Sequence, residues 1–432
     1  MIYIVLKQRD LVYLPCIIQS LFTMQENIIK IKRMRQEMLE ELENNILPFW
    51  MTRMEDKAAG GFIGRISGTG EPDPAAPKGA ILNARILWTF SAAWRLFGKC
   101  EYLETADRAK REIIDRFYDR EYGGVYWSLD ASGNPLDTRK QIYALGFAIY
   151  GLAEYSRATG DPEALEYAVR LFNDIESHSF DAVKNGYLEA FTREWGSIED
   201  MRLSDKDINE CKTMNTHLHI IEPYTALYRV WKDPRLEGRL RNLLDVFSGL
   251  ILDPSTAHLR LFFNEDWKSS HNLVSYGHDI EASWLLWETV EVIGDDDIKD
   301  RLGPLCIRIA EAASEGYIDG GGMIYEYDGD TGAVDADRHW WVQAETVVGY
   351  FNIWQMTGDR RALEKAAGCW DFIRRHIIDR DGGEWFWSLK ADGTVNVSDD
   401  KAGFWKCPYH NGRMCMEIIE RSDNYASGLA GW

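Results

Sequence analysis

Positive charge is in short supply in this chain: 49 Lys and Arg stand against 69 Asp and Glu, a formal net charge of −20 over 432 residues. That balance argues against nucleic acid or an anionic membrane as a partner. Proline is sparse at 12 residues, and no Pro/Ser-rich linker breaks the composition, so one domain is expected despite the length. The seven cysteines are scattered, odd in number and without a Cys-x-x-Cys pair, which fits free thiols in a reducing cytoplasm. Long apolar runs are missing too. The candidate from Leu11 to Met24 is too short to span a bilayer, and no small-residue cleavage site follows it as a secretory signal would require. Residues 1–33 are therefore expected to be an N-terminal extension outside the fold, with a signal peptide as the competing reading.

Three kinds of chemistry lack their motifs. No Gly-Lys-Ser/Thr helix start is present to cradle phosphate, and no Ser or Cys sits in a nucleophile motif. Histidines occur, but their spacing matches no common metal motif, and the His217-x-His219 pair puts its rings on opposite helix faces. No metal and no cofactor are expected.

What the chain has in quantity is aromatics, with 17 Trp, 20 Tyr and 17 Phe, more than packing requires and of the kind that lines sugar clefts. It also has a repeat. A glycine-bearing turn at Gly60-Gly61, Gly123-Gly124 and Gly186 returns about every 63 residues, and again at Gly320-Gly321-Gly322 and Gly382-Gly383. Leu259-Arg260-Leu261-Phe262-Phe263 fills the long gap as a degenerate copy. Six units of one size imply one repeating architecture.

Between the turns the chain reads as helix pairs. The first helix of a pair is apolar nearly all round, as at Arg85–Phe97, and the second is amphipathic, as at Tyr102–Phe117; the first belongs inside and the second outside. Turns such as Gly160-Asp161-Pro162 and Gly358-Asp359-Arg360 stop one helix and start the next. Five such turns, with single helices near 29–50 and 409–421 completing a sixth pair, predict an all-α fold: a closed (α/α)6 barrel over residues 34–421 with short β-hairpins at one mouth and a tail at 422–432. An open solenoid would instead need polar capping repeats at its ends.

The unusual polar residues gather at the starts of the inner helices: Arg85, then Asn215 and His219, then His278 and Glu281, then Trp340, Trp341 and Glu345, then Trp405 and His410. Singly, each has an ordinary structural explanation. Together, on one rim, they predict a cleft holding several bases that titrate near neutrality, a guanidinium and aromatic walls. Two histidines on opposite faces of a carbon can take a proton from one side and return one to the other. A guanidinium can stabilise the enolate oxygen formed between those steps, and tryptophans can stack on sugar rings. Other uses remain open: Glu281 and Glu345 as the acid pair of a glycoside hydrolase, or a sugar-binding protein without catalysis.

Lys212-Thr213-Met214-Asn215-x-His217-Leu218-His219, Ser275 to Ala282, Trp340 to Glu345 and Trp405 to Arg413 resemble the cellobiose 2-epimerases of the N-acylglucosamine 2-epimerase superfamily. The resemblance extends over about residues 34–421. It implies a metal-independent isomerase that interconverts D-glucose and D-mannose at the reducing end of β-1,4-linked disaccharides such as cellobiose, lactose and mannobiose. It further implies that His410 and His278 exchange protons at C2 through a cis-enediolate, that His219 assists ring opening and that Glu281 orients its neighbours. Arg85 and Asn215 would hold the open-chain oxygens, and Trp341 and Trp405 would pack on the sugars; whether Trp340 or Trp341 faces the cleft stays open. An N-acylglucosamine 2-epimerase or a mannose isomerase on the same scaffold is the alternative. A cytoplasmic monomer acting on a small disaccharide is expected.

Overall fold

The computed structural model describes residues 10–430, with side chains over 25–427; the first nine residues of the expected extension and the last two of the expected tail lie outside the described residues. Helix α1 (Asp10–Glu41) continues through a π-helical turn at Leu42–Ile46 into α2 (Leu47–Arg53). Five helix pairs follow: α3 (Ala80–Phe97) with α4 (Cys100–Arg111), α5 (Ile142–Thr159) with α6 (Pro162–His178), α7 (Met214–Val230) with α8 (Pro234–Val246), α9 (Tyr276–Ile293) with α10 (Asp296–Ala313), and α11 (Trp340–Thr357) with α12 (Arg360–His376). The last helix, α13 (Tyr409–Ala430), packs against α1 to make the sixth pair.

Inner helices α3, α5, α7, α9, α11 and α13 pack in that order, and α13 returns to α3, which closes the ring. This is the (α/α)6 barrel the sequence predicts. The turn chemistry is as read: Gly98, Gly160, Gly294 and Gly358 end inner helices with φ of 65°, 76°, 76° and 72°, a backbone that glycine adopts without steric cost. Asp161, Asp233, Asp295 and Asp359 cap the outer helices, each accepting a hydrogen bond from a first-turn N–H. The boundaries expected at 33/34 and 421/422 both fall inside helices. Ile31 and Met34 are buried on α1, and Ser422 is buried on α13, where the Tyr425 ring lies 5.1 Å from that of Trp354.

Short strands stitch the units together at one end. The pair of residues ahead of an inner helix bonds to the hairpin of the next unit: Lys78-Gly79 to Ser128-Leu129, Lys140-Gln141 to Ala190-Phe191, Lys212-Thr213 to Phe262-Phe263, and Arg338-His339 to Ser388-Leu389. The degenerate fourth copy therefore holds its place, with Ala257 taking the φ of 66° that glycine supplies elsewhere. At three of these junctions a buried lysine reaches the aspartate of a glycine turn, Lys78–Asp56 at 2.8 Å and Lys140–Asp119 and Lys212–Asp181 at 2.9 Å, and in the loop ahead of α13 Lys401 does the same with Asp379. Each aspartate also accepts N–H bonds inside its turn, so the ion pairs lock the glycine turns to the helix starts they feed.

Candidate active site

All six inner helices begin at the stitched end, where they enclose a cavity of about 620 Å³, within the range of ordinary small-ligand sites. Helix N-termini carry partial positive charge, so six of them around one cavity favour an anion there.

Three histidines enter it from different helices, each through a local device. His219 on α7 sits at a kink (φ −91°, ψ 15°). Pro223 lacks the N–H that would bond the His219 carbonyl, and Gly146 on α5 makes room for that carbonyl, since a Cβ there would lie 2.3 Å from it. His278 stands in the first turn of α9, beside Gly277, whose missing side chain lets Trp341 close against it; a Cβ would come within 2.7 Å of the indole. The His278 and Trp341 ring centres are 4.8 Å apart. His410 follows Pro408 at the start of α13, 5.7 Å from the Trp341 ring.

Behind the histidines lies a buried charge network centred on Arg413. One guanidinium nitrogen donates to Glu281 and to Glu345, both at 2.7 Å, and the other donates to Glu222 and Tyr409. Glu345 also accepts from the His410 Nδ1 at 2.7 Å and from the Trp284 indole at 3.0 Å. Glu222 accepts from the His219 Nδ1 at 2.9 Å and from the Tyr409 hydroxyl. A carboxylate fixes the proton of each of these rings on Nδ1, which leaves Nε2 with its lone pair as a base. His278 differs: its Nδ1 meets the Ser275 hydroxyl at 2.8 Å.

Burial sets the protonation states. It holds His278 down at about 3, with His219 adding to the effect, keeps His219 below the usual imidazole range, and with Arg85 and Arg413 holds His410 well below it. Burial alone would raise Glu222, but Arg413 and His219 hold it at about 2. Burial and the neighbouring Glu345 push Glu281 well up, and burial raises Glu345 as well, against the pull of Arg413. Glu281, Glu345 and His410 bring ligand-type atoms within 4.8 Å of one another. Arg413 and the His410–Glu345 bond already engage those atoms, so the guanidinium supplies the positive charge of this cluster.

Of the residues singled out in the sequence, Arg85, Asn215, His219, His278, Glu281, Trp340, Trp341, Trp405 and His410 all line the cavity. Both tryptophans of the pair do so, because α11 meets the cavity with its end and successive residues both reach it. Glu345 was expected at the sugar and does not line the cavity; it sits more than a turn deeper on α11, behind His410. Arg85 donates to the Tyr143 hydroxyl at 2.9 Å and to the Trp405 carbonyl at 3.3 Å, its guanidinium 4.1 Å from the Phe147 ring centre. His217 faces away, as its spacing implied. It bonds the Thr213 carbonyl at 2.6 Å through Nδ1 and accepts the Tyr187 N–H at 2.9 Å on Nε2.

Sequence reading missed Glu222, Tyr143, Ser275 and the rim made by Tyr325, His339, Trp387 and the loop Met201–Ile208. Glu222 had a signal: His219-x-x-Glu222 repeats the spacing of His278-x-x-Glu281. The rim loop has no periodicity to betray it. Four buried polar atoms on the cavity residues have no hydrogen-bond partner among the described residues: Arg85 Nε, Asn215 Oδ1, Glu281 Oε2 and Trp340 Nε1. Buried polar atoms are ordinarily paired, so this set offers hydrogen-bonding positions to a polar ligand.

Residues 61–412 match the family model described as N-acylglucosamine 2-epimerase (GlcNAc 2-epimerase). A cellobiose 2-epimerase of Bacteroides fragilis is 65% identical over 386 residues, 89% of this chain and 98% of that protein. The solved structure of a cellobiose 2-epimerase from Bacillus thermoamylovorans superposes with a TM-score of 0.87 at 42% identity, over 90% of this chain and all of the other. A D-mannose isomerase of Marinomonas mediterranea is 22% identical over 84% of this chain and 91% of its own length. Among the described residues no helix is long and apolar enough to cross a membrane.

Proposed function

The chain belongs to the N-acylglucosamine 2-epimerase family, and from that premise we propose that it is a cellobiose 2-epimerase. It converts the reducing-end glucose of β-1,4-linked disaccharides to mannose and back. The observation that carries this reading is the pair of histidines on separate helices, His278 and His410, both within reach of one ring position beside Trp341, in a cavity with four unpartnered polar atoms.

The sugar opens with help from His219, and Arg85 and Asn215 hold the open-chain oxygens. His410 Nε2 takes the C2 proton while Glu345 steadies its Nδ1–H. The C–H electron pair forms the enediolate, whose charge faces Arg85 and the six helix N-termini. After rotation about C2–C3, the minor, protonated form of His278, a strong acid because burial disfavours its charge, gives its Nε2 proton to the other face of C2, and the carbonyl re-forms. The dyad is left with its proton on His410, the state from which the reverse reaction starts. The second sugar rests at the rim against Trp405 and Trp387, near Tyr325 and His339, which is why a disaccharide suits this cavity better than a monosaccharide. The hydrolase reading fails on Glu345, which has no access to a glycosidic bond. The chain acts in the cytoplasm as a monomer: the six described cysteines are all free, and exposed apolar side chains such as Leu136, Val183 and Val334 lie in different repeat units.

The deciding experiment is incubation with cellobiose in deuterated water, without added metal or nucleotide, followed by NMR. Glucosyl-mannose carrying deuterium at C2 is expected; release of free glucose would replace epimerisation with hydrolysis.

A further inference from the structure

The three cavity histidines are not held alike. His219 and His410 each have a carboxylate at Nδ1, Glu222 at 2.9 Å and Glu345 at 2.7 Å. His278 has the hydroxyl of Ser275 at 2.8 Å, although its own helix places Glu281 at the spacing that Glu222 uses to hold His219. Glu281 is turned to Arg413 instead. Ser275 is itself buried at the end of the strand Leu273–Ser275, whose backbone is paired to Glu326–Asp328, so the hydroxyl is fixed in place. Around His278, the cavity is lined by titratable or charged groups from every side, among them Arg85 on α3, Tyr143 on α5, His219 on α7, Glu281 one turn on, His410 on α13, and Tyr325, Glu326 and His339 at the rim. Helix α11 presents only the indole of Trp341.

A carboxylate only accepts, so it ties the ring proton to Nδ1 and stabilises the imidazolium. A serine hydroxyl both accepts and donates, and it carries no charge. We infer that Ser275 is a positioning residue that makes His278 the proton-delivering member of the pair: a neutral partner keeps its imidazolium a strong acid while still aligning the ring on C2. This rests on the epimerase reading above and deepens it. His410 is backed by Glu345, a carboxylate it shares with Arg413, so the two faces of C2 are served by histidines with different Nδ1 partners, and the difference is set by one side chain.

The test is a series at position 275, with cellobiose as substrate and kcat and kcat/KM followed against pH. Ser275→Asp gives His278 the carboxylate the other histidines have. Its imidazolium becomes a weaker acid that stays protonated to higher pH, so the limb of the profile that His278 sets moves up by roughly one pH unit. Ser275→Thr keeps a hydroxyl and leaves the limb in place. Ser275→Ala loses alignment and falls about tenfold in kcat with KM little changed. An unmoved limb in Ser275→Asp would overturn the inference, as would equal losses in the Thr and Ala variants, since packing would then explain both. His278→Asn separates the two readings. If it stays active, the epimerase assignment of His278 fails; if it is dead while the position-275 series behaves like wild type, only the role of Ser275 fails.

Discussion

The two ends of the barrel are built from the same six helices and solve opposite problems. At the end where the inner helices start, polar atoms are left without partners, and three carboxylates share one arginine. At the end where they stop there is a second cavity of about 530 Å³, also lined by all six helices. There the charges answer one another: Arg95 with Glu154 at 2.7 Å and Glu420 at 3.1 Å, Arg229 with Glu288 at 2.6 Å, Arg421 with Glu417 at 2.8 Å. Helix C-termini carry partial negative charge, and these arginines offset it. Volume alone thus does not distinguish a binding site from a structural void in this fold. The distinction lies in which polar groups the protein leaves unfinished.

The comparison can be broken most directly at the starting end. His410→Asn should lower kcat on cellobiose about a thousandfold while the thermal unfolding midpoint hardly moves; a variant that retains most of its rate would remove the mouth's claim to catalysis. Arg413→Met should destabilise by about 3–5 kcal/mol in denaturant titration, because Glu222, Glu281 and Glu345 would lose their shared cation. Adding Glu345→Gln to it should recover part of that loss.

A subtler probe is Glu189, which holds the start of α7 by accepting the Thr213 N–H and the Thr216 hydroxyl. Burial pushes it up to about 8. A raised folded-state value means the contribution to stability is complete below the unfolded carboxylate value, near 4.3, and is lost as pH rises through about 8. Glu189→Gln should therefore flatten the decline of the melting temperature between pH 5 and pH 8; an unchanged slope would place the pH dependence elsewhere. The smallest effect belongs to the far end. Arg95→Met, which leaves Glu154 its contact with Arg157, should cost about 1 kcal/mol and leave kcat within roughly twofold of wild type. A loss of activity as large as that of Arg413→Met would show that the two ends are not independent.

Much of the mouth was legible in the sequence because the repeat fixes where each inner helix begins, and a helix start is a place in space as well as in the chain. His278, His410 and Arg85 could be assigned to one rim before any coordinates. Depth was harder to read. Glu345 lies one and a half turns into α11, and nothing in a single helix says how far the cavity reaches along it. Partnership was harder still: the two His-x-x-Glu spacings on α7 and α9 look alike, yet in one the glutamate holds the histidine and in the other it turns to Arg413. That choice depends on α13, far along the chain. The fourth repeat was recognisable only as a degenerate copy, because Ala257 replaces the expected glycine, while its cross-strand pairing survives on Phe262-Phe263.

The pairing of α1 with α13 has a bearing on how the protein comes into being. On a ribosome α1 emerges long before the partner that completes its layer, and the ring stays open until α13 is made. That segment brings both His410 and Arg413, so the carboxylates of Glu222 and Glu281 wait through most of synthesis for the cation that lets them be buried. The epimerase becomes whole, and becomes able to act, in the single event that brings α13 between α1 and α3.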